Sequence, residues 1–186
     1  MLLGELDVAL DVGRHLDELG VTWLVGGSVA SSILGEPRAT SDVDLVADLR
    51  VRHVGPLFAA LVETYYIDED ATRAATKTRG AFNVIQLASM TKVDIYCSAD
   101  EPLAREALKR RIFVDVEGQR LPCASAEDII LQKLKWFVEG GGVSDRQWRD
   151  IRGVIRVQGA TLDQAYMARH ATSHGVMDLL RRALSE

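Results

Sequence analysis

Two carboxylates stand two residues apart in Ser41-Asp42-Val43-Asp44-Leu45. On a β-strand, residues i and i+2 share a face. Asp42 and Asp44 then point one way, and Val43 and Leu45 point the other, toward a core. Like charges held side by side raise each other's pKa, a tension that a cation relieves. Hard divalent ions such as Mg²⁺ take oxygen ligands and keep positions open for water and phosphate. Upstream, Thr22 to Val25 reads as an apolar strand, followed by Gly26-Gly27-Ser28 and a short helix from Ser28 to Leu34. The glycines permit a sharp turn and the close approach of a ligand. The first N–H groups of the helix have no internal partner, which makes them an anion site. Alone, the one feature is an ordinary strand-to-helix turn and the other a polar strand face. In this order and at this distance, they point to a phosphate cradle beside metal carboxylates at the ends of neighbouring strands.

The order Gly-Gly-Ser, spacer, Ser-Asp-Val-Asp-Leu resembles the nucleotidyltransferase superfamily that includes DNA polymerase β. The resemblance implies a third carboxylate on a later strand. Lys92-Val93-Asp94-Ile95-Tyr96 supplies it, with Asp94 alternating with apolar Val93 and Ile95. The spacer Val29 to Ser41 is a little longer than in the polymerase-like members. The turn Gly35-Glu36-Pro37-Arg38-Ala39-Thr40 resembles that of bacterial stand-alone nucleotidyltransferases, the AbiEii and MenT type toxins and their relatives.

The elements that must position these residues can be read in order. Leu2 to Leu19 is an amphipathic helix stopped by Gly20. After the Asp42–Asp44 strand come a helix from His53 to Tyr65 and a short polar helix from Asp68 to Thr78. Ala81 to Leu87 and Thr91 to Cys97 form an antiparallel pair that carries Asp94. Glu101 to Arg111 is a helix, and Ile112 to Val116 with Leu121 to Cys123 is a hairpin around Glu117-Gly118-Gln119. From Ser125 the signal is helical: Ile129 to Val138, a stop at Gly140-Gly141-Gly142, Asp145 to Val157, Leu162 to Thr172 and Val176 to Leu184. Ser125 and Ser144 are the expected caps. The expected class is α+β: a mixed-sheet nucleotidyltransferase core over residues 1–123 and a helical subdomain over 124–186.

In the helical part, Lys133 falls between Ile129 and Phe137 on the apolar side of its helix, whereas Lys135 lies on the polar side. The pattern leaves two readings open, a snorkelling lysine and a lysine turned into a site. The resemblance favours the second, because toxins of this type carry a lysine in a comparable helix that contacts nucleotide phosphates. They also carry an Asp in an Arg-Asp pair on the next helix, matched by Arg149-Asp150, with Asp145 the weaker candidate. Asp150 also fits a plain i,i+4 pair with Arg146, worth about 0.3 kcal/mol. Arg149, Arg152 and Arg156 share a helix face that suits a polyphosphate or RNA backbone but equally an ordinary solvated face. His170 and His174 are four apart with no third ligand in view and read as surface residues.

Composition bounds the function. The 186 residues are 47% hydrophobic with net charge −5, a globular chain without a basic field to attract nucleic acid. Cys97 and Cys123 lack metal-ligand spacing and read as reduced thiols of a cytoplasmic protein. Glu5 and Asp7 speak against a signal peptide, and the uncharged run Val21 to Gly35 is too short to cross a membrane. The resemblance implies an enzyme that transfers a nucleoside monophosphate from an NTP such as ATP and releases pyrophosphate. Asp42, Asp44 and Asp94 would hold one or two Mg²⁺ (or Mn²⁺) ions. Gly26, Gly27 and Ser28 would cradle the phosphates, Lys133 and Asp150 would serve the nucleotide, and Arg38 would touch the triphosphate or brace its turn. The acceptor expected first is tRNA or another RNA, as for a toxin with a cognate antitoxin protein, with the arginine row contacting it. A small hydroxylated molecule such as an antibiotic comes second, and a non-catalytic binding partner of the same fold third.

Overall fold

A computed structural model describes residues 2–40, 42–97, 101–116 and 118–186. Ser41, at the head of the carboxylate strand, and Glu117, in the hairpin turn, lie outside the described residues. Leu6, Ala9, Val12 and Leu16 form the buried stripe of α1 (Leu2–Glu18). There follow β1 (Trp23–Val25), α2 (Gly27–Leu34), β2 (Asp42–Ala47), α3 (Val54–Leu61), β3 (Tyr65–Tyr66) and α4 (Glu69–Thr78). Then come β4 (Ala81–Gln86), β5 (Lys92–Tyr96), α5 (Pro102–Arg110), β6 (Ile112–Val116) and β7 (Gln119–Cys123). Four helices complete the described chain: α6 (Ala126–Glu139), α7 (Asp145–Gln158), α8 (Gln164–Ser173) and α9 (Met177–Ser185).

The strands form one seven-stranded mixed sheet in the order β3-β4-β5-β2-β1-β7-β6. β2–β5 and β1–β7 run parallel, and the other pairs run antiparallel. The fold is α+β. β2 alternates as its sequence requires: Val43, Leu45 and Ala47 are buried, while Asp42, Asp44 and Val46 face the other way. α1 packs against β1 and β2, α6 packs on α7, and both of these touch α2. One continuous apolar core runs from Leu6 to Ala183. Ser125 and Ser144 cap α6 and α7 by accepting from the N–H groups of Asp128 and Gln147. Among the described residues, no helix is long and apolar enough to cross a membrane. Cys97 and Cys123 are free, and burial pushes their thiols up to about 11 and about 12.

One expected boundary is corrected. The helix from His53 to Tyr65 is shorter, with a 3₁₀ turn at Val51–His53 and α3 ending at Leu61. Tyr65 belongs to the edge strand β3, paired with Gln86. Its hydroxyl donates to Asp11 Oδ2 at 2.6 Å. An aromatic pair suits a half-buried pleated edge, and this anchor to α1 overrides the helical pattern.

Candidate active site

Parallel pairing of β2 and β5 sets Asp44 opposite Asp94 and Asp42 opposite Lys92. All three carboxylates line one open cleft of about 690 Å³, together with Ser28, Arg38 and Arg146. Burial raises the Asp44 pKa; the Ser28 N–H opposes this, and the neighbouring charges of Asp94 and Asp42 add to it. The Asp94 carboxylate is turned onto Lys92, with Nζ to Oδ2 at 2.8 Å. That bond raises the Lys92 pKa. Among the described residues, no three carboxylate, imidazole or thiol groups converge as a finished metal ligand set. The donors fit a hard divalent ion in kind: they are all oxygen, mutually repelling, and open to a polar cleft where water and phosphate complete a shell.

The Gly-Gly-Ser turn abuts these carboxylates. Gly27 has φ +54°, and a Cβ there would overlap the Asp44 carboxylate, so only glycine fits. Asp44 Oδ2 accepts from the Ser28 N–H at 3.4 Å, so a carboxylate sits at the head of α2. The Ser28 hydroxyl accepts from Arg38 Nη2 at 2.6 Å. Arg38 then forms a two-pronged pair with Asp150, Nε to Oδ1 at 2.8 Å and Nη2 to Oδ2 at 2.9 Å. Lys133 Nζ reaches the same Oδ2 at 2.8 Å and Gln147 Oε1 at 3.1 Å.

Four remote segments are thereby tied into one chain of hydrogen bonds. Burial alone would raise the Asp150 pKa, but the bonds and charges of Arg38 and Lys133 hold it below the ordinary carboxylate range. The bond to Asp150 raises the Arg38 pKa. Burial lowers that of Lys133, and Asp150 opposes the change.

Gly26, Gly27, Ser28, Arg38, Asp42, Asp44, Asp94, Lys133 and Asp150 therefore meet around one place. Asp150 pairs with Arg38 and Lys133 and not with Arg146, the partner that local spacing suggests. Arg149, Arg152 and Arg156 line a different hollow, of about 350 Å³. Arg152 is bonded to the Glu186 carbonyl at 3.0 Å, and Arg156 is paired with Glu36. α7 turns Arg146 and Gln147 to the cleft instead. The His170 ring lies against Tyr166, with centroids 4.4 Å apart.

Sequence reasoning missed Lys92, Arg146 and the Tyr96–Trp136 ring pair at the cleft wall, whose centroids are 5.9 Å apart. Lys92 was legible, since it stands two residues before Asp94 on the same strand face. Burial, with Asp44 and Asp94 beside it, pushes the Tyr96 hydroxyl up to about 12.

No protein-family model and no curated protein matches the sequence. Solved structures do match the fold. The chain is similar to a nucleotidyltransferase-like antigenic protein from Paracoccidioides brasiliensis, with 19% identity, TM-score 0.58, 97% of this chain and 91% of that one. It is similar to the antibiotic-resistance factor ANT(2'')-Ia, with 16% identity, TM-score 0.60, 98% of this chain and 99% of that one. A third is the lincosamide antibiotic adenylyltransferase LnuA, solved with lincomycin, at 15% identity and TM-score 0.55, covering 83% of this chain and 96% of that one. The chain has the fold of these nucleotidyltransferases. The likeness to AbiEii and MenT type toxins rests on the sequence motifs.

Proposed function

We propose that the chain is a metal-dependent nucleotidyltransferase, moving a nucleoside monophosphate from an NTP to an acceptor hydroxyl. One observation carries this reading: three carboxylates of two parallel strands share a cleft with Ser28 and Arg38, and Arg38 is tied through Asp150 to Lys133. Asp42 and Asp44 would hold Mg²⁺ or Mn²⁺, with Asp94 completing the set. When bound, the ion would polarise the α-phosphoryl group and ease ionisation of the acceptor hydroxyl. Ser28 and Arg38 bind the β- and γ-phosphates, and Asp150 fixes the Arg38 fork in its plane. Lys133 supplies positive charge behind that fork as negative charge gathers on the leaving pyrophosphate.

Asp94 exchanges Lys92 for the acceptor hydroxyl and takes its proton. The acceptor oxygen bonds to the α-phosphorus in line, the bond to the bridging oxygen breaks, and pyrophosphate leaves. The test incubates the protein with Mg²⁺ or Mn²⁺ and each α-labelled NTP, against total RNA in one arm and a panel of hydroxylated small molecules in the other. Label should appear in an acceptor with the wild type and vanish with Asp44→Asn, whose melting temperature stays at or above that of the wild type. Equal labelling by both proteins, or none by either, refutes the reading.

A further inference from the structure

Lys92 joins the carboxylate face by register. Asp42, Asp44, Lys92 and Asp94 share one face of the parallel pair, Asp42 opposite Lys92 and Asp44 opposite Asp94. On its other flank Lys92 stands opposite Ile85 of β4, an apolar side chain that offers an ammonium group no acceptor. Lys92 Nζ bonds Asp94 Oδ2 at 2.8 Å, and the pair is partly sheltered, with the Lys92 side chain 37% exposed and that of Asp94 23%. The backbone of β5 thus plants a fixed cation among the three carboxylates, whichever of them its ammonium group faces.

Two metal ions at one phosphoryl-transfer site divide the work: one serves the leaving oxygens and the other the attacking oxygen, about 3.5–4 Å away. Asp42 and Asp44, with the triphosphate, suffice for the first. A second ion needs Asp94 as well, and Asp94 is taken by Lys92. Among the described residues, no three carboxylate, imidazole or thiol groups converge. A second ion at Asp94 would displace the ammonium group, yet the lysine stem starts on the same face. That group would then stand beside two divalent cations, with repulsion on both sides. Charge points the same way. Three carboxylates and one ammonium group leave two negative charges on the face, which a single divalent ion matches. A lysine ammonium is a compact point charge with three donors, so it can hold Asp94 and face a further oxygen.

Resting on the nucleotidyl-transfer reading, we infer that this site works with one divalent ion and that Lys92 stands in place of the second. Asp42, Asp44 and the triphosphate oxygens hold that ion, and Asp94 is joined to the site through Lys92. When Asp94 turns to the acceptor hydroxyl and takes its proton, the Lys92 ammonium group keeps its own. It then offsets the negative charge on the attacking oxygen, the part a second ion would play.

The test counts ions. The protein is saturated with the α,β-methylene analogues of the four NTPs, which cannot release pyrophosphate. Bound Mn²⁺ is measured by equilibrium dialysis, and spin coupling between neighbouring ions by EPR. The wild type should hold one uncoupled Mn²⁺ with its analogue. Lys92→Met should hold two, coupled as a close pair; Lys92→Gln is the second neutral variant should the first misfold. Lys92→Arg, which keeps the charge, should hold one again.

A coupled pair in the wild type overturns the inference, because Asp94 then gives up Lys92 for an ion. So does a single ion in the wild type, Lys92→Met and Lys92→Gln alike while Asp44-dependent labelling persists, which leaves nucleotidyl transfer standing. Analogue affinity at least tenfold weaker in Lys92→Met, with the count still one, would assign Lys92 to the triphosphate and overturns it too. No Mn²⁺ bound with any analogue, together with no Asp44-dependent labelling, removes the transfer reading and the inference with it.

Discussion

Asp150→Ala removes the one carboxylate that Arg38 and Lys133 share. Lys133 is 2% exposed in its side chain and Asp150 4%, so the variant leaves an ammonium group in the interior with Gln147 as its remaining hydrogen-bond partner among the described residues. Breaking a buried pair from one side costs about 3–5 kcal/mol. Burial already lowers the Lys133 pKa, so loss of its proton caps the penalty toward the lower end. At about 2–4 °C per kcal/mol for a chain of this size, melting should fall by about 10 °C. Lys133→Met on top of Asp150→Ala should recover most of this, because the uncompensated charge is gone.

Urea denaturation of the nucleotide-free wild type, both singles and the double gives the cycle directly. Asp150→Ala within about 1 kcal/mol of the wild type, or a double no better than the sum of the singles, would refute the reasoning. The pH dependence has a definite sign. Asp150 is held below the ordinary carboxylate range, so the unfolded chain takes up its proton first as pH falls. Its contribution is full above about pH 5 and is lost as pH drops through the folded value. The stability gap between wild type and Asp150→Ala should therefore close from pH 5 downward, and a gap that widens would contradict the ion pair.

Lys133→Ala should weaken MgATP binding by calorimetry, by removing charge behind Arg38, while Lys135→Ala, which loses only its pair with Glu101, should not; equal loss in both would reject the role of Lys133. The triple change Arg149→Gln, Arg152→Gln, Arg156→Gln removes side chains away from the cleft, so labelling should be unaffected. A log affinity for tRNA against log salt shallower by about two to three in that variant would return the row to the acceptor site. Gly27→Ala forces a Cβ into the Asp44 carboxylate at positive φ. It should cost about 1–2 kcal/mol in denaturation and abolish labelling, and a variant active at the wild-type rate would mean that the turn is not part of the cleft.

What could be read from the sequence follows the range of the forces involved. Alternation in Asp42–Ala47 and Lys92–Tyr96 is a local signal with a period of two, and it put the carboxylates on one face because Val43, Leu45, Val93 and Ile95 have to be buried. Caps at Ser125 and Ser144 are equally local. Tyr65 was misread because its decisive contact is the hydroxyl bond to Asp11, 54 residues away. Asp150 was open for the same reason: spacing offers Arg146 at i−4, whereas its partner Arg38 is 112 residues away. A helix-surface pair is worth about 0.3 kcal/mol and a buried, two-pronged guanidinium–carboxylate pair several times that, so the distant partner wins. The resemblance named Asp150 and Arg38 separately, without pairing them.

The turn Gly35-Glu36-Pro37-Arg38 has a physical reason beyond the motif. For Arg38 to reach Ser28 and Asp150 together, α2 and α7 must approach closely. They do so at Gly35, where a Cβ would stand 2.8 Å from the Val154 nitrogen and 2.8 Å from the Ser31 carbonyl oxygen. Gly153 faces it, and a Cβ there would stand 3.3 Å from the Glu36 nitrogen. Two glycines thus set a helix separation that side chains would widen. The widening would fall on the Arg38–Asp150 pair and leave the β2–β5 register untouched. The carboxylates are positioned by the sheet, whereas the groups proposed for phosphate are positioned by helix packing. Changes in α6 or α7 should therefore act first on nucleotide affinity, while the carboxylate face survives them.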